Sequence, residues 1–271
     1  MTQRLLTRPL GWLSRRRRPR LAPAGLLVAA LGFTGAAYAA LAPSGSVQAA
    51  TGVSTATIEE GRQLYLKNCS SCHGLNAQGS TTGPTLVGVG AAAVDFQVGT
   101  GRMPAAQLGA QVRKKPVQFD QKQIQAMAAY VASLAPGPQI PTDQQYDYSG
   151  ADAAAGGQIY RTNCAMCHNF AGSGGALTQG KFAPNLRKVT PKHLYEAMLT
   201  GPQSMPVFDD KNLTPQDKKD VIAYLRTTAE EPSPGGFALG KIGPVTEGLV
   251  GWVVGLGALI GCAVWLGAKA R

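Results

Sequence analysis

Two uncharged apolar runs stand near the ends of the chain, and amphipathic segments fill the distance between them. Residues 21–41, "LAPAGLLVAALGFTGAAYAAL", follow an arginine cluster and are about long enough to cross a hydrocarbon core. Residues 248–268, "GLVGWVVGLGALIGCAVWLGA", form a second run, backed by Lys269 and Arg271, and predict a transmembrane helix. Inside these limits apolar positions recur at helical spacing. Ile124, Met127, Val131 and Leu134 follow Asp120, and Val221, Ile222 and Leu225 follow Thr214-Pro215, so each set predicts a helix with a polar start. Thr57 with Glu60 has the spacing of a capping box, Asp152 is a second candidate cap, and Thr190-Pro191 opens a further helix. Residues 135–152, "APGPQIPTDQQYDYSGAD", contain Pro and Gly without helical periodicity and read as linker.

The pattern repeats. At an offset of 95, "GRQLYLKNCSSCHG" from Gly61 matches "GGQIYRTNCAMCHN" from Gly156 at Gly, Gln, Tyr, Asn, both Cys and His. Further on, "GPTL" at 83–86 answers "APNL" at 183–186, and "TGRMP" at 100–104 answers "TGPQSMP" at 200–206. Internal similarity of this kind implies a duplicated unit. The chain therefore divides into an Arg-rich hydrophobic segment at 1–43, a lobe at 51–135, a linker at 136–151, a lobe at 152–231 and a transmembrane helix at 248–268. The expected fold is mainly α.

Charge changes the picture only at the ends. The formal charge is +11, but residues 1–43 hold seven Arg and no acid, and residues 248–271 hold two basic residues and no acid. Residues 44–247 keep 17 basic against 15 acidic side chains, so the basic character gives a nucleic-acid partner no support. Basic residues outside each span predict cytoplasmic termini, with both lobes on the outer side of the cell membrane. The N-terminal run reads as an export signal, with "AYA" at 37–39 as a cleavage site, or as a retained anchor; its length favours the anchor. In the second span, Gly251/Gly255 and Gly257/Gly261 have the spacing that admits a neighbouring helix, or mark no more than a glycine-rich helix; Cys262 reads as a small apolar residue.

Four of five cysteines and two of three histidines fall in the repeated C-x-x-C-H. This motif attaches a c-type haem: two thiols add to the haem vinyl groups as thioethers, and the adjacent imidazole turns onto the iron. A disulfide explains the Cys pair but not the His, and a zinc site uses C-x-x-C but places an adjacent His poorly for the same metal. Two covalent haems are thus expected, on Cys69, Cys72 and His73 and on Cys164, Cys167 and His168.

A sixth ligand completes an electron-transfer iron. Met103 and Met205 each follow Thr-Gly and precede Pro, a repeated setting that points to a thioether ligand favouring reduced iron. Met198 is a local rival, but its spacing from Leu194 assigns it to a core; Met166 and Met127 are poorly placed to reach an open haem face. His193 reads as a surface residue, with iron ligation as the lesser alternative.

On these residues each lobe resembles a class I cytochrome c domain. In that family the closing helix crosses the first, often glycine against aromatic, a place that Gly61 with Tyr130, and Gly156 or Gly157 with Tyr224, would fill. Over residues 20–271 the whole arrangement resembles the dihaem cytochrome c subunits of actinobacterial cytochrome bcc complexes, most closely in "VDFQVGTGRMPAA" at 94–106. The resemblance implies a partner cytochrome b, a Rieske iron-sulfur protein and an aa-type haem-copper oxidase as acceptor. It implies an electron relay, with quinol chemistry left to the partners.

Three other readings share parts of the pattern. An independent membrane-bound dihaem carrier has both lobes but little need of a span with paired small residues. The dihaem subunit of a cbb-type oxidase carries its anchor before the haems. A dihaem peroxidase needs a vacant or switchable axial position, which two Met-Pro settings argue against.

Overall fold

The computed structural model describes residues 22–41, 53–230, 241 and 244–269. The chain divides into two compact units, residues 1–48 and 49–271. In the first unit α1 (Ala22–Leu41) is a single helix, and its apolar stretch, Pro23–Tyr38, is shorter than a full span. Everything else belongs to the second unit.

Lobe 1 begins with α2 (Thr55–Asn68), which runs into the single turn α3 (Ser70–His73). Ser54, not Thr57, starts α2: its Oγ accepts from the Thr57 backbone N–H at 3.1 Å. Thr57 therefore lies inside the first turn, because a competent serine stands three residues earlier and satisfies the free N–H first. After α4 (Gly90–Gly99) the lobe closes with α5 (Gln121–Leu134), capped by Asp120 in a reciprocal box with Gln123. The apolar face of α5 predicted from spacing is the one that packs, with Ile124, Met127 and Val131 each 2% exposed.

The expected linker is only partly irregular. It holds a one-turn helix, α6 (Asp143–Tyr146), and it is fastened to both lobes. Pro138 O accepts from Ala92 N at 3.1 Å and Ile140 lies on the lobe 1 core, whereas Tyr146 and Tyr148 lie on the lobe 2 core. Apolar residues at irregular spacing carry this docking, which a periodicity argument passes over.

Lobe 2 repeats the plan with α7 (Ala153–Asn163), α8 (Ala165–His168), α9 (Pro191–Thr200) and α10 (Pro215–Glu230). The expected caps hold: Asp152 accepts from Ala154 N and Ala155 N at 2.8 and 3.0 Å, and Thr190 accepts from His193 N at 3.3 Å. Between α8 and α9 lies an antiparallel pair, β1 (Gly175–Ala176) and β2 (Phe182–Ala183), in register Gly175 to Ala183 and Ala176 to Phe182. This hairpin accounts for the longer path from His168 to Pro184 than from His73 to Pro84.

In both lobes the first and last helices cross at a glycine. A Cβ on Gly61 would overlap the Ala126 carbonyl and stand 3.0 Å from Tyr130 Cβ. In lobe 2 the same task is split: a Cβ on Gly156 would overlap the Asp220 carbonyl, while one on Gly157 would come 3.0 Å from the Tyr224 ring. Tyrosine pairs flank both crossings, Tyr65 with Tyr130 and Tyr160 with Tyr224, each with ring centroids 5.2 Å apart. Finally α11 (Pro244–Lys269) contains, in Gly248–Lys269, the one stretch among the described residues long and apolar enough to cross a membrane.

Candidate haem sites

Each C-x-x-C-H motif bridges the end of one helix and a tight turn. Cys69 caps α2 and opens α3, and Cys164 does the same between α7 and α8. This turn buries the histidine that follows: His73 is 8% and His168 9% exposed. Each turn is held from behind by the preceding tyrosine, whose hydroxyl donates to the carbonyl just after the histidine, Tyr65 to Gly74 at 2.6 Å and Tyr160 to Asn169 at 2.8 Å.

The imidazoles are oriented by backbone. His73 Nδ1 lies 2.7 Å from Pro84 O and His168 Nδ1 lies 3.1 Å from Pro184 O. A carbonyl can only accept, so each Nδ1 carries the proton and each Nε2 presents its lone pair, the tautomer a metal requires. Burial lowers the pKa of His168, against the opposing bond to Pro184, so the ring stays neutral at pH 7. Gly83 leaves room for this contact, since a Cβ there would lie 3.1 Å from His73 Nδ1. The "GPTL" and "APNL" segments singled out by the repeat thus supply the carbonyl partners.

The cysteines are free in all four positions. Burial, then the neighbouring Cys72, pushes the Cys69 thiol up to about 11; burial, then Cys167, pushes Cys164 to about 12. Paired cysteines directly ahead of a buried, oriented imidazole fit covalent attachment of haem.

Met103 and Met205 both pack against the core of their own lobe, half-buried, in loops after α4 and α9. In lobe 2 an open cleft lined by Ala176, Leu177, Thr178, Lys181 and Ser204 separates the hairpin from the methionine loop. Met198 is in the lobe 2 core and Met127 in the lobe 1 core, whereas Met166 is 93% exposed. His193 departs from the surface reading: it lies at the seam between the lobes, its ring edge-on to Phe96 at 6.1 Å. Sequence spacing held no signal for this, because Phe96 comes from the other lobe.

The lobes meet on the side that carries the methionine loops. The Gln111 amide and the Phe182 backbone bond each other at 2.8 and 2.7 Å, and the Gln203 amide and the Val112 backbone bond each other twice at 3.1 Å. Residues 111 and 112 follow Met103, and Gln203 precedes Met205 by two. Helices α4 and α9 extend this seam through Lys192 Nζ, 2.6 Å from Asp95 Oδ2.

Comparison with known proteins agrees with this geometry. A family model described as cytochrome c matches residues 58–135, and one described as cytochrome C oxidase, cbb3-type, subunit III matches residues 151–225. Fold and motifs together define a two-domain c-type cytochrome that binds two haem c groups covalently. Over most of its length the chain is similar to "Cytochrome bc1 complex cytochrome c subunit" proteins. That of Mycobacterium leprae is 45% identical, covering 90% of this chain and 87% of its own. That of Mycobacterium bovis is 44% identical, covering 96% and 95%. That of Corynebacterium diphtheriae is 42% identical, covering 94% and 96%. The chain belongs to this family of cytochrome c subunits. The cbb3-type match is confined to lobe 2, so it marks the kind of domain rather than the kind of complex.

Proposed function

We propose that this chain relays single electrons between a Rieske iron-sulfur protein and an aa-type oxidase, as the dihaem arm of a quinol-oxidising complex that also contains cytochrome b. Haem c, when bound, supplies a one-electron couple; the chain holds it and sets its surroundings. Cys69 and Cys72 tether the first group, Cys164 and Cys167 the second. His73 and Met103 ligate one iron, His168 and Met205 the other. The Pro84 and Pro184 carbonyls keep both histidines in the ligating tautomer.

The observation that carries the relay is the stitching of the two methionine-loop sides by Gln111 and Gln203. Two redox lobes that merely shared a polypeptide would need no such junction. A lobe pair fixed at this face makes electron exchange within one chain independent of diffusion. The apolar Gly248–Lys269 stretch tethers the pair to the membrane. Basic residues beyond each apolar run favour a cytoplasmic C-terminus, a cytoplasmic N-terminus where the first segment is retained, and both lobes on the outer side.

The test is to tag the chain in its native membrane, isolate it in mild detergent and record a reduced-minus-oxidised spectrum. Bands of b-type and a-type haem beside the c-type band are the expected result. A c-type band with nothing copurifying would overturn the relay between complexes. Replacing Cys69 and Cys72 with serine should remove one of two covalently stained haems and leave the other.

A further inference from the structure

The seam between the lobes holds side chains that neither haem site uses. His193 and Glu196 are three residues apart on α9 and share one face of it, and Asp95 reaches them from α4 of the other lobe. Ligand-capable atoms of Asp95, His193 and Glu196 all lie within 4.8 Å of one another. Asp95 is 1% exposed and Glu196 is fully buried.

Charge and hydrogen bonds are unevenly shared here. Asp95 is satisfied, with Lys192 Nζ at 2.6 Å from one oxygen and Gln121 Nε2 at 3.2 Å from the other. Glu196 is not: both its oxygens are buried without a hydrogen-bond donor, and Lys192 Nζ stands 3.8 Å away. An ionised carboxylate in that position is costly, so Glu196 calls for either a proton or a cation. Burial, then the adjacent Asp95, pushes its pKa up to about 9. Burial lowers the pKa of His193, leaving a neutral imidazole whose Nε2 stands 3.9 Å from Glu196 Oε2. Lys192, Arg102 and Lys114 also face this cluster and temper its pull on a cation.

We propose that Asp95, His193 and Glu196 form a site for a divalent cation of the zinc class, which ties the two lobes together. One imidazole with two carboxylates suits zinc and its transition-metal neighbours better than calcium or magnesium, which take oxygen alone. The cation supplies the partner that the two buried Glu196 oxygens lack. Two ligands from one lobe and one from the other make the site complete only when the lobes are docked.

The full chain, carrying both haems in detergent, is treated with a chelator, incubated with zinc chloride at pH 7.5 and desalted. Zinc and iron are then counted by mass spectrometry. One zinc for every two irons is expected. Glu196→Gln, Asp95→Asn and His193→Gln should each weaken retention by about tenfold or more. An unchanged haem spectrum shows that a variant is folded, and His193→Gln, at the most exposed of the three positions, is the variant least able to disturb the core. A zinc-to-iron ratio near zero in the parent chain would overturn the proposal and leave Glu196 as a protonated carboxyl facing Asp95. Retention untouched by all three substitutions would overturn it equally, by placing the metal elsewhere.

Discussion

At the scale of single residues, the chain places its chemistry where local sequence alone specifies it. A C-x-x-C-H turn is built from five consecutive residues, so both attachment sites were legible before any fold was known. The proposal of Met103 and Met205 as axial ligands rests on their repeated Thr-Gly and Pro neighbours. Replacing Met103 with alanine should lower the midpoint potential of the first haem by on the order of 0.1 V, a fraction of the ~0.8 V over which axial ligands tune haem iron. It should also let carbon monoxide bind; a redox titration and a carbon monoxide difference spectrum check both, and unchanged results would remove Met103 from the ligand set. Glycine at the crossings is equally local in origin but long-range in effect. Gly61→Ala drives a methyl into the Ala126 carbonyl, and Gly156→Ala does so at Asp220. Neither backbone can yield without parting the helices, so each should cost about 1–3 kcal/mol, read as a lower denaturant midpoint of the lobe concerned. Gly157→Ala meets side chains alone, the Tyr224 ring and the end of Arg161, and should cost less.

At the scale of elements, the helices follow from apolar spacing and polar starts, and the departures have physical causes. Ser54 displaces Thr57 because the cap is decided by which side chain first meets a free N–H. The β1–β2 hairpin and α6 are too short to show a period. The seam between α4 and α9 was not legible at all: His193, Glu196 and Asp95 are brought together by docking of two lobes, and no local pattern records it. That seam has a pH signature in the presence of a chelator. Glu196 has its pKa raised from 4.5 to about 9, so the folded state holds a proton that the unfolded chain gives up. Its contribution is present in full below about pH 4.5 and is lost as pH rises toward 9. Asp95 works in the opposite sense: burial, the largest single influence, pushes it up, but Lys192, Glu196 and Gln121 together outweigh this and hold it low, so its contribution is lost only in acid. The melting temperature of the metal-free chain should therefore fall by several degrees between pH 6 and pH 9. Glu196→Gln should flatten that slope, and a slope identical to the parent would show that Glu196 does not carry it.

At the scale of the whole molecule, the two hydrophobic ends are not equivalent, and the difference decides how the haem lobes are held. The stretch Gly248–Lys269 is long enough to span a bilayer with some tilt, whereas the apolar part of α1, Pro23–Tyr38, falls short of the ~20 residues a perpendicular helix needs. The N-terminal run is either retained as an anchor or removed altogether by cleavage after residue 39. A chain ending at Glu247 separates these cases, because it keeps both lobes, the linker and every proposed haem ligand. Retained N-terminal residues should keep this truncated chain in the membrane pellet through an alkaline wash, with both haems attached. Removal of those residues should deliver a water-soluble dihaem protein, shortened at its N-terminus by about 39 residues on intact-mass measurement. The uncharged run at 21–41 is nevertheless longer than the apolar core of an ordinary export signal, which favours pelleting, and a soluble product would assign all anchoring of the relay to α11.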